Sequence, residues 1–268
     1  MSDFLQQMAK HSAERASNIG TKETADLDKP VIPLQLSAFD VIAEIKGRSP
    51  AEGELAGTDL DRSEQARQYA GGGAAAISVL TEPSRFDGAL EHLEEVVAAV
   101  PDTPVMRKDF LVEPVQVLEA RRAGASGVLL IAMMLDDDKL RAMLDRAWEQ
   151  EMFVLLECFD EEDLNRVSRL LEYPPDADHA AAGTLLVGVN TRNLRTLEVD
   201  SERLERLAPL LPDVRCVAES GLRTADDAAA TAELGYRLAL VGSALMRSDD
   251  PAALVAAMRV AGGSSIAT

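Results

Sequence analysis

From residue 41 onward, short continuous apolar runs alternate with stretches in which apolar residues recur every three or four positions. The runs are "VIAEI", "AAISVL", "PVMRKDF", "GVLLIAM", "FVLLECF", "LLVGVN", "VRCVAES" and "LALVGS". A run with little apolar–polar alternation reads as a strand covered on both faces, as in a parallel sheet. Between the runs lie helix-type stretches such as "LEHLEEVVAAV", "DKLRAMLDRAWEQ", "LNRVSRLL" and "SERLERLAPLL", and the last is "PAALVAAMRVAG". Eight strand–helix pairs in roughly 230 residues predict an α/β chain folded as a (β/α)8 TIM barrel, a fold of about 250 residues. A doubly wound open sheet is the alternative, but it rarely needs eight regular units.

The same pattern divides the chain into an extension, residues 1–40, and a barrel, residues 41–262. In the extension "DFLQQMAKHSAERA" reads as helical and "TKETADLDKPVIPLQLS" as an extended connector. Two prolines and spaced apolar residues predict that the connector packs against the barrel rather than trailing free. "EYPPDADHAAAG" reads as a loop before a strand, on the barrel face that serves stability.

Composition narrows the function classes. A hydrophobic content of 47% excludes general disorder, and a formal charge of −19 argues against a partner bound through nucleic-acid phosphates. An acid-rich, lysine-poor surface suits a saline cytosol, where screening suppresses self-repulsion. No apolar run approaches a membrane span and no signal-type h-region opens the chain, so a soluble cytoplasmic protein is expected. The acidic surface discourages casual association, which leaves a monomer or a weak homo-oligomer. Cys158 and Cys216 lie in apolar runs without CxxC spacing and read as buried thiols. No second-domain sequence is present, so a single function is expected.

Strand phase then gathers the chemistry. Side chains alternate along a strand, which puts Ile42, Glu44 and Lys46 on one face, Met106, Lys108 and Phe110 on another, and Phe153, Leu155, Glu157 and Phe159 on a third. Asn190 ends the sixth strand and Glu219 the seventh. All would lie at the C-terminal ends of barrel strands, the catalytic end of such folds. The chain has only six lysines against twenty-one arginines, and Lys46 and Lys108 take two of these strand-end positions. These charges could be internal salt bridges, but a buried pair adds little stability, so a converging cluster is costly without a function. Arg107 and Asp109, out of phase with Lys108, are expected to pair outside the barrel.

None of the three histidines falls at a strand's C-terminal end, so proton transfer would rest on Glu and Lys. No metal-ligand spacing is present, and neither a metal nor a cofactor is expected. The turns "ESGLRTADD" and "VGSALM" follow the last two strands, where barrels commonly bind phosphate through backbone N–H groups. Ser220, Gly221, Gly242 and Ser243 are the nominated donors, with Ser49 and Lys46 completing the anion pocket.

In order and spacing, "VIAEIKGRSP", "AISVLTEPSRFDG", "PVMRKDFLVEPVQVLEAR", "GVLLIAMML", "GVNTRNLRTLEVD", "VAESGL" and "LVGSALM" resemble indole-3-glycerol-phosphate synthase of tryptophan biosynthesis. The resemblance spans about residues 40–258 and implies a (β/α)8 barrel lyase. The family closes and decarboxylates 1-(2-carboxyphenylamino)-1-deoxyribulose 5-phosphate, giving indole-3-glycerol phosphate, CO2 and water. It implies Lys108 as the general acid on the ketose oxygen and Glu157 as the carboxylate of the later dehydration. Glu44 and Lys46 would position substrate and support proton transfer. Asn190, Glu219 and Ser220 would bind hydroxyls, and Ser49, Gly221, Gly242 and Ser243 the phosphate. Phe86, Phe110 and Leu129 would wall in the aryl ring.

Three departures stand out. Arg85 precedes Phe86; Thr191 stands where Asn is frequent, of little consequence if its side chain points away; and the loop "SPAEGELAGTDLD" is more acidic than the common lysine-bearing version. Two other functions remain open on the residues alone. One is a Schiff-base aldolase using Lys108. The other is a non-catalytic barrel that senses a phosphorylated metabolite.

Overall fold

Eight strands close on themselves: β1 (Asp40–Ile45), β2 (Ala76–Leu80), β3 (Val105–Lys108), β4 (Gly127–Ile131), β5 (Phe153–Cys158), β6 (Leu185–Asn190), β7 (Cys216–Glu219) and β8 (Leu238–Val241). Each pairs in parallel with the next, and β8 returns to β1 with Asp40 opposite Leu238 and Ala43 opposite Val241. The structure is a computed structural model that describes residues 3–19, 27–49, 53–54, 60–192, 199–200 and 202–266. Helix α1 (Asp3–Ser17) precedes the barrel. One outer helix follows each strand: α2 (Arg62–Gly71), α3 (Leu90–Ala99), α4 (Pro114–Ala123), α5 (Asp137–Glu149), α6 (Glu161–Leu170), α7 (Arg203–Leu207), α8 (Ala225–Glu233) and α9 (Pro251–Ile266). The (β/α)8 reading therefore holds, and closure removes the strand edges an open sheet would expose.

The apolar runs lack alternation because both strand faces are buried. One face joins the helices in a large shell that includes Val41, Ile77, Val128, Val154 and Val187. The other fills the barrel interior with Ile42, Ala76, Met106, Leu129, Leu155, Leu186, Val217 and Leu240. Helix starts are fixed by short polar side chains: Asp61, Asp136, Asp160 and Thr224 each accept a backbone N–H of the first turn. Among the described residues no helix is long and apolar enough to cross a membrane.

The extension touches both ends of the barrel. Leu5 and Met8 of α1 are buried against interior residues, and Phe4 meets Phe110 edge-on at 5.8 Å. Residues 27–37 run past the strand starts, where Lys29 donates to the Ala123 carbonyl, the Ile32 N–H to Ser126 and Arg215 to the Ser37 carbonyl.

One expectation fails here. "EYPPDADHAAAG" is no plain loop, since it contains an eight-residue helix, Pro174–Ala181. Proline is a breaker inside a helix, but in the first turn its missing N–H has no intrahelical partner to lose. Asp176 anchors this helix to α5 by accepting two bonds from Arg141 and one from Trp148 Nε1, while His179 stacks on Trp148 at 3.7 Å.

Candidate active site

The C-terminal mouth opens on a cavity of about 440 Å3. At its base the Lys108 ammonium sits 3.3 Å from Glu44 Oε1, 3.2 Å from Glu219 Oε2 and 4.0 Å from Glu157 Oε2. Lys46 lies 2.5 Å from the other oxygen of Glu44. Strand phase makes this convergence: β1, β3, β5 and β7 each carry an inward-facing charged residue at their last or next-to-last position, and closure aims all of them at one axis. Lys46 follows the last residue of β1.

Two glycines make the room. A Cβ on Gly188 of β6 would run into the Glu219 carboxylate, and one on Gly242 into Glu44 and Lys46. Both residues therefore let charged groups approach the backbone where any larger side chain would displace them.

The charges set one another's protonation. Burial pushes the Glu44 carboxyl up, but Lys46 and Lys108 outweigh it and hold the pKa at about 2. Burial pulls the Lys108 ammonium down, yet Glu44, Glu219 and Glu157 overcome it and raise its pKa. Glu157 moves the opposite way from Glu44. Burial and the neighbouring Glu219 carboxylate raise it well above its ordinary value, against the pull of Lys108. Of the carboxyl groups around Lys108, Glu157 is the one whose surroundings favour keeping the proton. Glu157 also lies within hydrogen-bonding reach of Glu219, so a proton kept on Glu157 can be shared between the two buried carboxyls.

The walls are apolar on one side and polar on the other. Phe86, Phe110, Leu129, Leu80, Ile131 and Phe4 form the apolar side, with the rings of Phe86 and Phe110 6.1 Å apart. Opposite them, Asn190 Oδ1 accepts from Ser220 Oγ and from the Arg192 N–H, both at 2.9 Å. Ser220 and Gly221 turn the chain with φ of 68° and 85°, a left-handed pair that costs Ser220 some strain. Gly242 and Ser243 line the same side at the start of a single-turn helix, Ser243–Met246.

All but two of the nominated residues therefore line this cavity. Glu219 lies fully buried beneath it, in contact through Lys108. The side chain of Ser49 lies outside the described residues, as do most of the acidic loop after β1 and residues 193–198.

One detail differs from expectation. The Thr191 side chain does not point away to no effect. It is buried, and its hydroxyl bonds the carbonyls of Glu219 and Ser220, fixing the end of β7. Arg107 and Asp109 pair off the barrel axis at 3.1 Å, and both are buried. Sequence reasoning missed Phe4, Ile131, Arg192, Arg223 and Arg247. Ile131 shares the inward phase of Leu129 and could have been found that way. Phe4 comes from outside the barrel, and the arginines sit on non-periodic turns, so no strand pattern marks them.

Comparison with known proteins agrees with this geometry. The family model for indole-3-glycerol phosphate synthase matches residues 29–258. A protein of that description from Nocardioides sp. is 49% identical over 87% of this chain and 86% of its own length. One from Parafrankia sp. is 46% identical over 85% and 81%, and one from Mycolicibacterium vanbaalenii 41% identical over 97% and 90%. Among solved structures, 3-hexulose-6-phosphate synthase from Salmonella typhimurium superposes with a TM-score of 0.61 at 17% identity, covering 85% of this chain and 99% of that one. Thiamine phosphate pyrophosphorylase from Pyrococcus furiosus gives 0.56 at 16% identity, covering 85% and 96%. These two share the barrel and nothing more specific. A family match across nearly the whole barrel, relatives approaching half identity, and an intact charge cluster at the mouth lead to one assignment: the chain belongs to the indole-3-glycerol phosphate synthase family.

Proposed function

We propose that this protein converts 1-(2-carboxyphenylamino)-1-deoxyribulose 5-phosphate to indole-3-glycerol phosphate, CO2 and water, as a cytoplasmic enzyme of tryptophan biosynthesis. The observation that carries the residue roles is the Lys108 ammonium held among three carboxylates at the foot of a cavity walled by two phenylalanine rings. Phe86, Phe110 and Leu129 hold the aryl ring against the ketose, supplying proximity for attack of the ring carbon on the carbonyl. As the new carbon–carbon bond forms, the carbonyl oxygen becomes an alkoxide, and Lys108 gives it a proton. CO2 then leaves from the attacking ring carbon, and the pair of the broken carbon–carboxyl bond restores the aromatic system. Departure of the new hydroxyl as water needs an acid and a base, and Glu157, whose burial beside Glu219 favours its protonated form, acts with Lys46 and Glu44 in this step. Asn190 and Ser220 bind the chain hydroxyls, while Glu219, beneath the cavity, holds the Lys108 ammonium in place. Gly221, Gly242, Ser243 and Ser49 receive the phosphate through N–H and hydroxyl groups.

A Schiff base on Lys108 fits less well, because it requires a neutral amine where the neighbouring Glu44 and Glu219 carboxylates favour the cation. A purely sensory barrel has no need of a stored proton beside a buried ammonium.

The test is indole fluorescence on adding the substrate to wild type, Lys108→Ala and Lys108→Arg. Loss of about a hundredfold or more in kcat from both folded variants is expected, the usual weight of a positioned acid. Turnover that survives in Lys108→Ala moves the acid to Lys46. A folded wild type silent at every salt concentration sinks the synthase assignment.

A further inference from the structure

Helix α1, which lends Phe4 to the cavity wall, also reaches the backbone behind the site through one charged side chain. Arg15, in its last turn, places Nη2 2.6 Å from Asp109 Oδ1 and Nη1 3.8 Å from Glu82 Oε1. The two carboxylates belong to different strand–helix loops, after β3 and after β2, and their side chains are 0% and 2% exposed. Each organises backbone that carries part of the site.

Asp109 follows Lys108 directly. Its Oδ1 also accepts the Phe110 N–H at 2.8 Å, and its Oδ2 accepts from Thr81 Oγ1 and Arg107 Nη2. Glu82 accepts the N–H groups of Ser84 and Arg85, capping the single turn Pro83–Phe86 that ends in Phe86. One guanidinium therefore joins the backbone behind Lys108 and Phe110 to the backbone behind Phe86. The same helix lays Phe4 on Phe110, and its Ser12 hydroxyl accepts from Gln116, whose side-chain oxygen takes the Val112 and Glu113 N–H groups of the loop after β3.

We propose that Arg15 is a positioning residue for the reaction. By bridging Asp109 and Glu82 it sets the separation of the Phe86 and Phe110 rings and their height above the Lys108 ammonium. Docking of α1 is then a condition for gripping the aryl half of the substrate, while the phosphate half, on the loops after β7 and β8, is indifferent to it. This inference rests on the site roles argued under Proposed function. A plain helix staple would use the same ion pairs but would affect only stability, and the difference can be measured.

Full-length wild type, Arg15→Met and Arg15→Lys are compared in steady-state turnover, in equilibrium binding of 2-aminobenzoate and of inorganic phosphate, and in thermal midpoint. The expected result is an Arg15→Met protein, folded by circular dichroism, that binds 2-aminobenzoate about tenfold more weakly and has raised KM and lowered kcat, as a shift of under an ångström in a positioned group can produce. Its phosphate affinity is unchanged, and Arg15→Lys recovers part of the loss. A lower midpoint with 2-aminobenzoate binding, kcat and KM intact overturns the proposal, as does parallel loss of both ligands. If Arg15→Met does not fold, Arg15→Lys decides alone, and wild-type binding and kcat/KM in it overturn the proposal. A wild type that binds 2-aminobenzoate without turnover defeats the proposed reaction, yet the binding comparison still judges Arg15.

Discussion

Burial pulls the Lys108 pKa down, and the Glu44 and Glu219 carboxylates beside it outweigh that pull. An acid this strongly held is a poor proton donor to a resting ketone but a ready one to the alkoxide that ring closure creates. Glu157 has the opposite history: with Glu219 beside it, ionising both would place two anions in one buried site. Because its folded pKa is raised above the unfolded one, the folded state holds a proton the unfolded chain has released. Stability therefore falls as pH rises from the ordinary carboxyl range through the folded value. Glu157→Gln removes that dependence while keeping the shape. The variant is expected to gain thermal midpoint relative to wild type as pH is raised from about 4.5 to 8. Its turnover at neutral pH should fall by about a hundredfold or more. A midpoint difference that stays flat across that range would mean that Glu157 is ionised at rest. The residues of this cluster could be read from the chain because strand alternation is rigid: once β3 and β5 are placed, Lys108 and Glu157 can only face inward. Their protonation could not be read, since it depends on neighbours more than a hundred residues away, such as Glu219 beside Lys108.

At the scale of elements, the apolar runs marked all eight strands, with ends displaced by no more than a few residues, because a strand covered on both faces reads as a nearly continuous apolar run. The outer helix Pro174–Ala181 was hidden for the converse reason. Its stability comes from tertiary contacts, with Asp176 fully buried beneath Arg141 and Trp148, rather than from an amphipathic stripe. Removing that one carboxylate should loosen the whole element. Asp176→Ala leaves the indole N–H and the guanidinium without their acceptor. Arg141 is 32% exposed and can rehydrate, so a loss of about 2 kcal/mol is expected rather than the larger cost of a sealed pair. Urea unfolding gives the magnitude, and the fluorescence of Trp148, the single tryptophan, reports the release of its stack on His179. The site at the far end of the barrel should keep its kcat. A large drop in kcat without loss of stability would mean that this helix communicates with the mouth.

The whole molecule carries a formal charge of −19 and is proposed to take up a phosphorylated, carboxylated anion. Net charge and local charge then act in opposite senses on capture. The net charge repels the substrate at a distance, whereas Arg192, Arg223 and Arg247 line the cavity and attract it at close range. Ionic strength separates the two, because the screening length is about 30 Å at 0.01 M, about 8 Å at 0.15 M and about 3 Å at 1 M. At the lowest salt the repulsion extends over distances like the molecule's own radius. At the intermediate value it is gone, yet the cavity arginines still act over the few ångströms that separate them from a bound anion. The pairs around Lys108 are buried and screened much less, so the chemical step should change little. The expected outcome is a kcat/KM that rises as KCl goes from about 0.01 to 0.15 M, with kcat nearly constant over that range. The thermal midpoint should climb over the same range and on to 1 M, as self-repulsion among surface carboxylates is relieved. A kcat/KM that falls steadily from the lowest salt would show that the cavity arginines outweigh the net charge at every distance. The acidic surface would then have no part in capture, leaving its effect to stability alone.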